Sequence, residues 1–283
     1  MRELHTSEIA RRLGEAFLET SRSLPAKVLR DLKRALAEEP SPGARNILSV
    51  ILENQAVATR EGIPLCQDTG LPQIKILLGS GVALSGAPLK EVLEKEVRGA
   101  HAKGYLRKSA CHPVTRENLL NDIPVPLDVE TVPGDGVLVF HMSKGGGCDN
   151  KSLLFRLPPT ATKGEIIAAA AEAAVAAGPD ACPPFYVGVA VGGTVVSCPS
   201  HSRDALFRLL SDDPRIPPPS PEERELALAI KELANESGLG PMGVGGKTTV
   251  LDLAVAIRPA HIASLPVAVN VCCHSFRGGA FFL

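Results

Sequence analysis

The sequence predicts a mixed α/β protein with a helical N-terminal part. Apolar residues near the N-terminus recur at three- and four-residue spacing, short apolar runs typical of buried strands follow, and amphipathic or Ala-rich segments lie between those runs. The chain has 283 residues, 45% hydrophobic and 22% charged, which is enough for a sizeable core. We expect one domain over residues 1–283, helical over about 1–60 and α/β over about 61–283.

Each later element is predicted from its apolar pattern and the residues that end it. The helices predicted after the N-terminal part are 88–103, 164–177 and 222–236. The predicted strands are 73–78, 137–142, 186–191, 249–257 and 265–271. Asp212–Pro221 contains five prolines, and we expect a loop within the domain there rather than a hinge between domains.

Charge and hydropathy exclude several classes of protein. The 30 basic and 31 acidic residues give a net charge of −1, which argues against nucleic acid or an anionic membrane surface as a partner. The longest apolar runs are far short of the ~20 residues that a membrane span needs. The charged N-terminus lacks the apolar core of a signal peptide, so we expect a cytoplasmic protein with reduced thiols.

Seven cysteines are spread along the chain: Cys66, Cys111, Cys148, Cys182, Cys198, Cys272 and Cys273. An odd number in a cytoplasmic chain makes a poor disulfide framework, and no C-x-x-C pair marks a zinc knuckle or a ferredoxin. Two interpretations stay open. The cysteines fill core space as small apolar residues, or some of them converge from distant segments to hold a metal.

Two polar segments contain residues that ordinary turns do not explain. Pro64–Gly70 (PLCQDTG) places a thiol, an amide, a carboxylate and a hydroxyl side by side before a strand. Turn chemistry accounts for its Asp and Gly but not for Cys66 and Gln67. Ser143–Ser152 (SKGGGCDNKS) exposes three glycine N–H groups between two lysines, which favours an anionic ligand over a flexible hairpin tip.

Prolines and glycines define two further segments. Pro183 and Pro184 hold Cys182 in a rigid position, which suits a ligand better than a core residue. The run 238–249 ends in Gly-Lys-Thr, but the phosphate-loop pattern needs a glycine where Pro241 stands, six residues before Lys247. The run also leads from a helix into a strand, the reverse of the order in a phosphate loop. We therefore do not predict a nucleotide site.

The last segment with candidate functional side chains is 258–275. It contains His261, and a lone histidine is more often structural than catalytic. Adjacent strand residues point to opposite faces, so at most one of Cys272 and Cys273 faces a shared site.

Together these segments resemble the iron–sulfur-dependent hydro-lyases of the class I fumarase and L-tartrate dehydratase family, and more narrowly the separate alpha subunit of a two-subunit member. Six stretches match in family order over most of residues 64–275 and are specific as a set. They are PLCQDTG (64–70), LR (106–107) before HPVTREN, KGGG followed by NKS, ACPPFYVGVAVGGT (181–194), NESGLGPMGVGGKTT (235–249), and HIASLPVAVN with its CHS (261–275).

The resemblance implies a [4Fe–4S] cluster with one iron that lacks a protein ligand. Its three cysteine ligands fall on Cys66, Cys182 and Cys273. The chain departs from the family at Cys148, where serine is common, and at Cys272, just before the third ligand. We prefer Cys273 as the ligand because CHS is the local pattern of the family.

The resemblance also implies the activity, the dehydration of malate to fumarate. It places the substrate contacts and the active-site histidine at Gln67, Asp68, Arg107, Gly146 and His261. In physical terms, Asp68 or His261 exchanges a proton at the hydroxyl, and Lys247 joins Arg107 in holding carboxylates. The base that acts at carbon is not evident in this chain.

The sequence also leads to expectations about a partner subunit and about alternative functions. The resemblance implies a separate beta subunit that completes the active site, and a homodimer of alpha subunits within a heterotetramer. L-tartrate is the second substrate candidate. A metal-stabilised structural protein or an electron-transfer protein is the non-enzyme alternative. An electron-transfer protein would surround its cluster with four ligands, whereas the Gln-Asp, Arg and Lys-Gly features favour a substrate.

Overall fold

The computed structural model describes residues 1–120, 123–211 and 213–283, and it has the predicted mixed α/β character. The strands are β1 (Arg2–His5), β2 (Leu71–Gly79), β3 (Val82–Ser85), β4 (Leu127–Val132), β5 (Val137–Lys144), β6 (Leu153–Leu157), β7 (Phe185–Gly192), β8 (Val250–Arg258), β9 (Leu265–Cys272) and β10 (Arg277–Phe282). The helices are α1 (Thr6–Arg22), α2 (Ala26–Glu38), α3 (Pro42–Glu61), α4 (Leu89–Lys103), α5 (Gly146–Asp149), α6 (Lys163–Ala176), α7 (Cys198–Arg208) and α8 (Pro221–Glu236). Within the described ranges, no helix is both long and apolar enough to cross a bilayer.

The chain folds into two compact units. The first comprises Met1–Pro25, Asn54–Gly146 and Ser275–Leu283, and the second comprises Ala26–Glu53 and Gly147–His274. The first unit contains a four-stranded sheet of order β10-β5-β2-β4 and a parallel pair of β1 and β3. α1 packs on α4, β5 and β10. Leu13 and Phe17 of α1 are fully buried with Ile74 and Val139 of the sheet, so the apolar helical spacing forms this core.

The second unit has helices on both faces of a four-stranded sheet of order β6-β9-β7-β8. Alternate residues of β7 face opposite layers. Val187 and Val189 belong to the core with α6 and α8, whereas Ala190 packs with Cys198 of α7. At Gly188, a side chain would collide with the backbone of α7, so glycine permits this close approach.

A polar network anchors α2 to the second unit's sheet. The Tyr186 hydroxyl donates to Asp31 Oδ2 at 3.1 Å, and the Lys27 ammonium lies 2.9 Å from Asp31 and 2.6 Å from Asp252. Burial alone would lower the pKa of Lys27. The Asp252 and Asp31 carboxylates have the larger, opposite effect, so the pKa is raised and the ammonium stays charged. This network holds the N-terminal half of α2, and Glu38 at the other end of the helix contacts the glycine-rich run discussed below.

The predicted helices and strands are confirmed to within a few residues, but several short elements were not predicted. The prediction of helix from the first residue is wrong, because Arg2–His5 forms β1 and pairs with β3, a partner distant in sequence. β4 and β6 are edge strands with exposed residues, so they lack the apolar run that marked β5 and β7. The predicted loop is confirmed over residues 213–220, while Asp212 lies outside the described residues.

A buried histidine lies on β5 in the first unit. His141 is 2% exposed, and its ring meets the Phe17 ring edge-on at 4.9 Å between centroids. Its Nδ1 has no hydrogen-bond partner among the described residues. Burial lowers the pKa of His141 to about 4, so the folded state holds the neutral ring.

This histidine predicts acid sensitivity. Because its pKa is about 4 in the folded state and about 6.5 in the unfolded state, its contribution to stability is complete above about pH 6.5 and is lost as the pH falls towards 4. We expect a loss of about 3 kcal/mol over that interval, and a smaller loss in His141→Gln. Urea unfolding of both chains at pH 7 and pH 4.5 measures the difference. An identical pH dependence in the two chains would contradict the prediction.

Candidate active site

The loop before β2 organises the candidate site of the first unit through the Asp68 carboxylate. Asp68 Oδ1 accepts the Gly70 N–H at 3.0 Å, and Oδ2 accepts the Gly146 N–H at 2.8 Å. A Cβ on Gly145 would lie 2.8 Å from Oδ2. The structure thus brings together two predicted substrate contacts, Asp68 and Gly146, and glycine is required for their close approach.

The same loop holds the main chain of Arg107. Thr69 is 4% exposed, and its Oγ1 accepts the Arg107 N–H at 2.9 Å. The Arg107 residue itself is exposed. The residue predicted to bind a carboxylate therefore combines an anchored backbone with an exposed position. Thr69 was not among the predicted site residues, although it lies inside the PLCQDTG motif.

Cys66 and Gln67 begin this loop. The Cys66 thiol donates to Gln67 Oε1 at 3.4 Å. Cys66 is half-buried, and Gln67 is exposed. Both residues are thus at least partly accessible to solvent.

In the second unit, Cys182 lies at the end of a single 3₁₀ turn, Pro179–Ala181, and precedes a cis peptide bond between Pro183 and Pro184. Its φ is +57°, a left-handed conformation that costs a non-glycine residue about 1–2 kcal/mol. The surrounding contacts must therefore impose this conformation.

His274 supplies one of these contacts. The Cys182 carbonyl accepts the His274 main-chain N–H at 3.4 Å and the His274 Nδ1 at 3.0 Å. A carbonyl is only an acceptor, so Nδ1 carries the proton. This bond connects two predicted ligand segments, because His274 follows Cys273. Sequence reasoning missed the role of His274, although it included the CHS pattern.

The glycine-rich run supplies the other contact. It lies between α8 and β8, which confirms the predicted order of a helix followed by a strand. The Met242 N–H donates to the Pro183 carbonyl at 2.8 Å. Gly243 has φ +76°, and a Cβ there would lie 2.5 Å from Pro179 Cγ. The run therefore supports the Cys182 turn from one side.

Lys247 contacts Glu38, the last residue of α2, and Glu39, which follows that helix. Its N–H donates to Glu39 Oε2 at 2.8 Å, and its ammonium pairs with Glu38 at 3.1 Å. It lines a cavity of about 500 Å³ that also contains acidic and basic groups such as Asp31 and Lys231. Among the described residues, its polar partners do not include the other predicted site residues.

His261 lies on an exposed loop between β8 and β9. Its Nδ1 accepts the Ala263 N–H at 3.1 Å, and its carbonyl accepts the Ser264 N–H at 2.8 Å. In the neutral ring the proton is therefore on Nε2. The imidazole has the hydrogen bond that a proton-transferring histidine needs for orientation.

Cys148 lies beside the third predicted ligand. It is 3% exposed and donates to the Ala181 carbonyl at 3.5 Å. The neighbouring thiols of Cys272 and Cys273, together with burial, raise the pKa of Cys148. Neither Cys148 nor Cys272 was predicted as a ligand.

The donor chemistry of the predicted ligands suits an iron–sulfur cluster, whose irons take cysteine thiolates. Cys66, Cys182 and Cys273 are half-buried, whereas Cys148, Cys198 and Cys272 are buried. Within the described ranges, no three His, Cys, Asp or Glu side chains group closely enough to hold a single metal ion. The cysteines of a cluster bind different irons, so they need not converge on one point.

Comparison with known proteins identifies the family. The profile described as fumarate hydratase (Fumerase) matches residues 10–281. This match covers nearly the whole chain, and the chain belongs to that family.

Individual relatives agree with the family match. A Methanocaldococcus jannaschii protein, provisionally named L(+)-tartrate dehydratase subunit alpha, is 32% identical over 93% of each chain. L(+)-tartrate dehydratase subunit alpha of Escherichia coli K12 is 28% identical over 93% of this chain and 86% of its own. A Geobacillus stearothermophilus protein, provisionally named class I fumarate hydratase, is 32% identical over 93% of this chain and 52% of its own. The named enzymes are hydro-lyases, and this chain belongs to that class of enzyme.

The Thr69 contact predicts a kinetic effect. Thr69→Val removes the acceptor of the Arg107 N–H, which costs about 1–3 kcal/mol, and lets the guanidinium lose its position. In the assembled enzyme we expect kcat/KM to fall by about tenfold or more. Thr69→Ser keeps the hydroxyl and should keep most of the activity. Equal kinetics for the Val and Ser variants would contradict the prediction.

The Gly243 contact predicts a stability difference between two matched variants. Gly243→Ala and Gly238→Ala both place alanine at positive φ, but only Gly243→Ala collides with Pro179, since nothing lies within 4 Å of a Cβ at Gly238. Urea unfolding should show a loss of about 1 kcal/mol for Gly238→Ala and a larger loss for Gly243→Ala. Alkylation of Cys182 should accelerate only in Gly243→Ala. The same behaviour in both variants would refute the supporting role of the run.

Proposed function

We propose that this chain is the cluster-binding alpha subunit of a hydro-lyase that reversibly dehydrates a 2-hydroxy dicarboxylate, malate to fumarate. The observation that carries the proposal is the 2.8 Å hydrogen bond between Asp68 and the Gly146 N–H, residues 78 positions apart. With the Thr69–Arg107 bond, it groups a carboxylate, an exposed glycine backbone and the main chain of an exposed arginine around one loop. These are the groups that dehydration of a dicarboxylate requires.

The carboxylates of the substrate determine the binding roles. Arg107 is exposed and suits a bidentate contact with one carboxylate. Gly146 is exposed as well, and its missing side chain leaves room for a carboxylate oxygen. Gln67 offers an amide to the hydroxyl or to the second carboxylate. Lys247 is a further carboxylate contact, for which its ammonium would exchange Glu38 for the substrate.

Proton transfer at the substrate hydroxyl falls to Asp68 or His261. The neutral His261 ring donates from Nε2, because Nδ1 is occupied by the Ala263 N–H. Each oxygen of Asp68 accepts one backbone N–H, and its remaining lone pairs are available to the hydroxyl. We assign the base that acts at carbon to the partner subunit.

We propose that Cys66, Cys182 and Cys273 hold a [4Fe–4S] cluster. When bound, the cluster supplies a Lewis acid through the iron that lacks a protein ligand. Half-buried thiols suit this role because they are reachable and yet shielded. The ligands must stay reduced, so we propose the cytoplasm as the compartment.

The partner is inferred from the names and lengths of the relatives. Two relatives matched over most of their length are named as alpha subunits, which implies a beta subunit. The relative named as class I fumarate hydratase is about twice as long as the matched region. We propose that a separate beta subunit completes the active site, and that the alpha subunit forms a homodimer within a heterotetramer.

L-tartrate dehydration is the second candidate function. It is favoured by the two relatives named L(+)-tartrate dehydratase subunit alpha. Tartrate differs from malate by one hydroxyl, and a site that hydrogen-bonds this hydroxyl would reject malate strongly.

Anaerobic co-expression with the beta subunit, followed by assays with malate, fumarate and L-tartrate, tests the proposal. We expect hydration of fumarate and loss of both cluster absorbance and activity in Cys66→Ser, Cys182→Ser and Cys273→Ser. Cys111→Ser, which changes another half-buried cysteine, is the matched control and should keep both. Full cluster loading in any of the three variants would exclude that residue as a ligand. Full turnover by this chain alone would exclude the partner.

A further inference from the structure

The last strand of the first unit begins with a buried arginine. Arg277 is 2% exposed, and its Nε and Nη1 are shielded from solvent without a hydrogen-bond partner among the described residues. Lys75, another buried cation of the same sheet, differs in this respect, because its ammonium lies 2.9 Å from the Glu130 carboxylate. The described part of the chain thus supplies a counter-charge for Lys75 but not for Arg277.

The burial of Arg277 is unfavourable unless something accepts its N–H groups. A buried charge loses its hydration, and only a partner can offset that loss. A lysine could give up its proton, but a guanidinium keeps its charge. Gln73 Oε1 is a buried acceptor that also lacks a partner, but Gln73 pairs with Met142 in the sheet, whereas Arg277 pairs with Ser143. Adjacent residues of β5 point to opposite faces, so Gln73 lies on the other side of the sheet.

The strand register identifies the groups beside the guanidinium. Arg277 lies opposite Ser143 and Gly279 lies opposite His141, so all four residues share one face of the sheet. Ser143 is 4% exposed and carries a hydroxyl, and His141 Nδ1 has no partner among the described residues. A Cβ at Gly279 would lie 3.4 Å from His141 Nε2, so the imidazole lies close to β10. A guanidinium, a hydroxyl and an imidazole therefore occupy neighbouring positions on one buried face.

We propose that Arg277, Ser143 and His141 form an internal site for a small monovalent anion, and we assign chloride to it. The three side chains offer N–H and O–H donors, and Arg277 supplies the positive charge that an anion requires. The burial of Arg277 argues against a carboxylate side chain of a partner protein, which would have to enter the core. Water would satisfy the donors but would leave the charge of the guanidinium uncompensated.

The site lies at the end of β5 that leads into the triple glycine. Ser143 and Lys144 are the last two residues of β5, and Gly146 then donates its N–H to Asp68. Anion binding would therefore stabilise the strand end that places Gly146 beside Asp68. The anion site itself does not depend on the proposed function, whereas an effect of chloride on activity rests on it.

Urea unfolding of the full chain in sodium chloride and in sodium gluconate, at equal ionic strength and neutral pH, tests the proposal. Once chloride exceeds its Kd, each tenfold rise should increase the folding equilibrium constant about tenfold. Arg277→Met should not respond to chloride, and in gluconate it should be at least as stable as the unchanged chain, because the unpaired charge is gone. Arg12→Met is the matched control, since Arg12 lies over the Phe281 ring of the same strand, and it should respond like the unchanged chain.

A second measurement locates the anion directly. In crystals of the chain grown with sodium bromide, we expect an anomalous peak within hydrogen-bonding distance of the Arg277 guanidinium. Equal stability in chloride and gluconate, an equal chloride response in Arg277→Met, or the absence of the bromide peak would overturn the proposal. If Arg277→Met does not fold, the bromide peak decides. If the anion binds but the chain assembled with its beta subunit has no hydro-lyase activity, the proposed function fails and the anion site stands.

Discussion

One carboxylate holds the candidate site of the first unit in place. Both oxygens of Asp68 accept main-chain N–H groups, one from its own loop and one from the triple glycine. Charge-assisted bonds of this kind are stronger than neutral ones, and their loss would leave two donors without partners. The absence of side chains at Gly70 and Gly145 follows from this constraint, because a Cβ at either position would lie 2.8 Å from the opposing segment.

In the second unit, main-chain carbonyls rather than a carboxylate accept the hydrogen bonds that hold the candidate site. The Cys182 turn has an unfavourable conformation, and it is held by His274 on one side and by the glycine-rich run on the other. The run has the composition of a phosphate loop, but its glycines serve close packing against prolines. Glycine-rich composition therefore indicates tight backbone approach before it indicates any particular ligand.

The sequence predicted strands best where both of their faces are buried. It predicted them least well where the partner strand is far away along the chain. β5 and β7 are buried at every position, so their apolar runs identified them. β1 depends on a partner about eighty residues away, and nothing local marks it. The same division applies to the site. Motifs pointed to Asp68 and Cys182, but Thr69 and His274 act through hydrogen bonds to residues that only the fold brings near.

The strands of the first unit's sheet are synthesised at widely separated times. β5 is buried along its whole length, and one of its two neighbours, β10, comes from residues near the end of the chain. During synthesis, the larger part of the second unit, Gly147–His274, must emerge before β10 is available. Until then β5 presents a long apolar edge, the kind of surface that pairs with other chains. The nascent protein is thus exposed to aggregation for about as long as the ribosome takes to add the roughly 130 residues between β5 and β10, and a chaperone that covers β5 would protect it during this period.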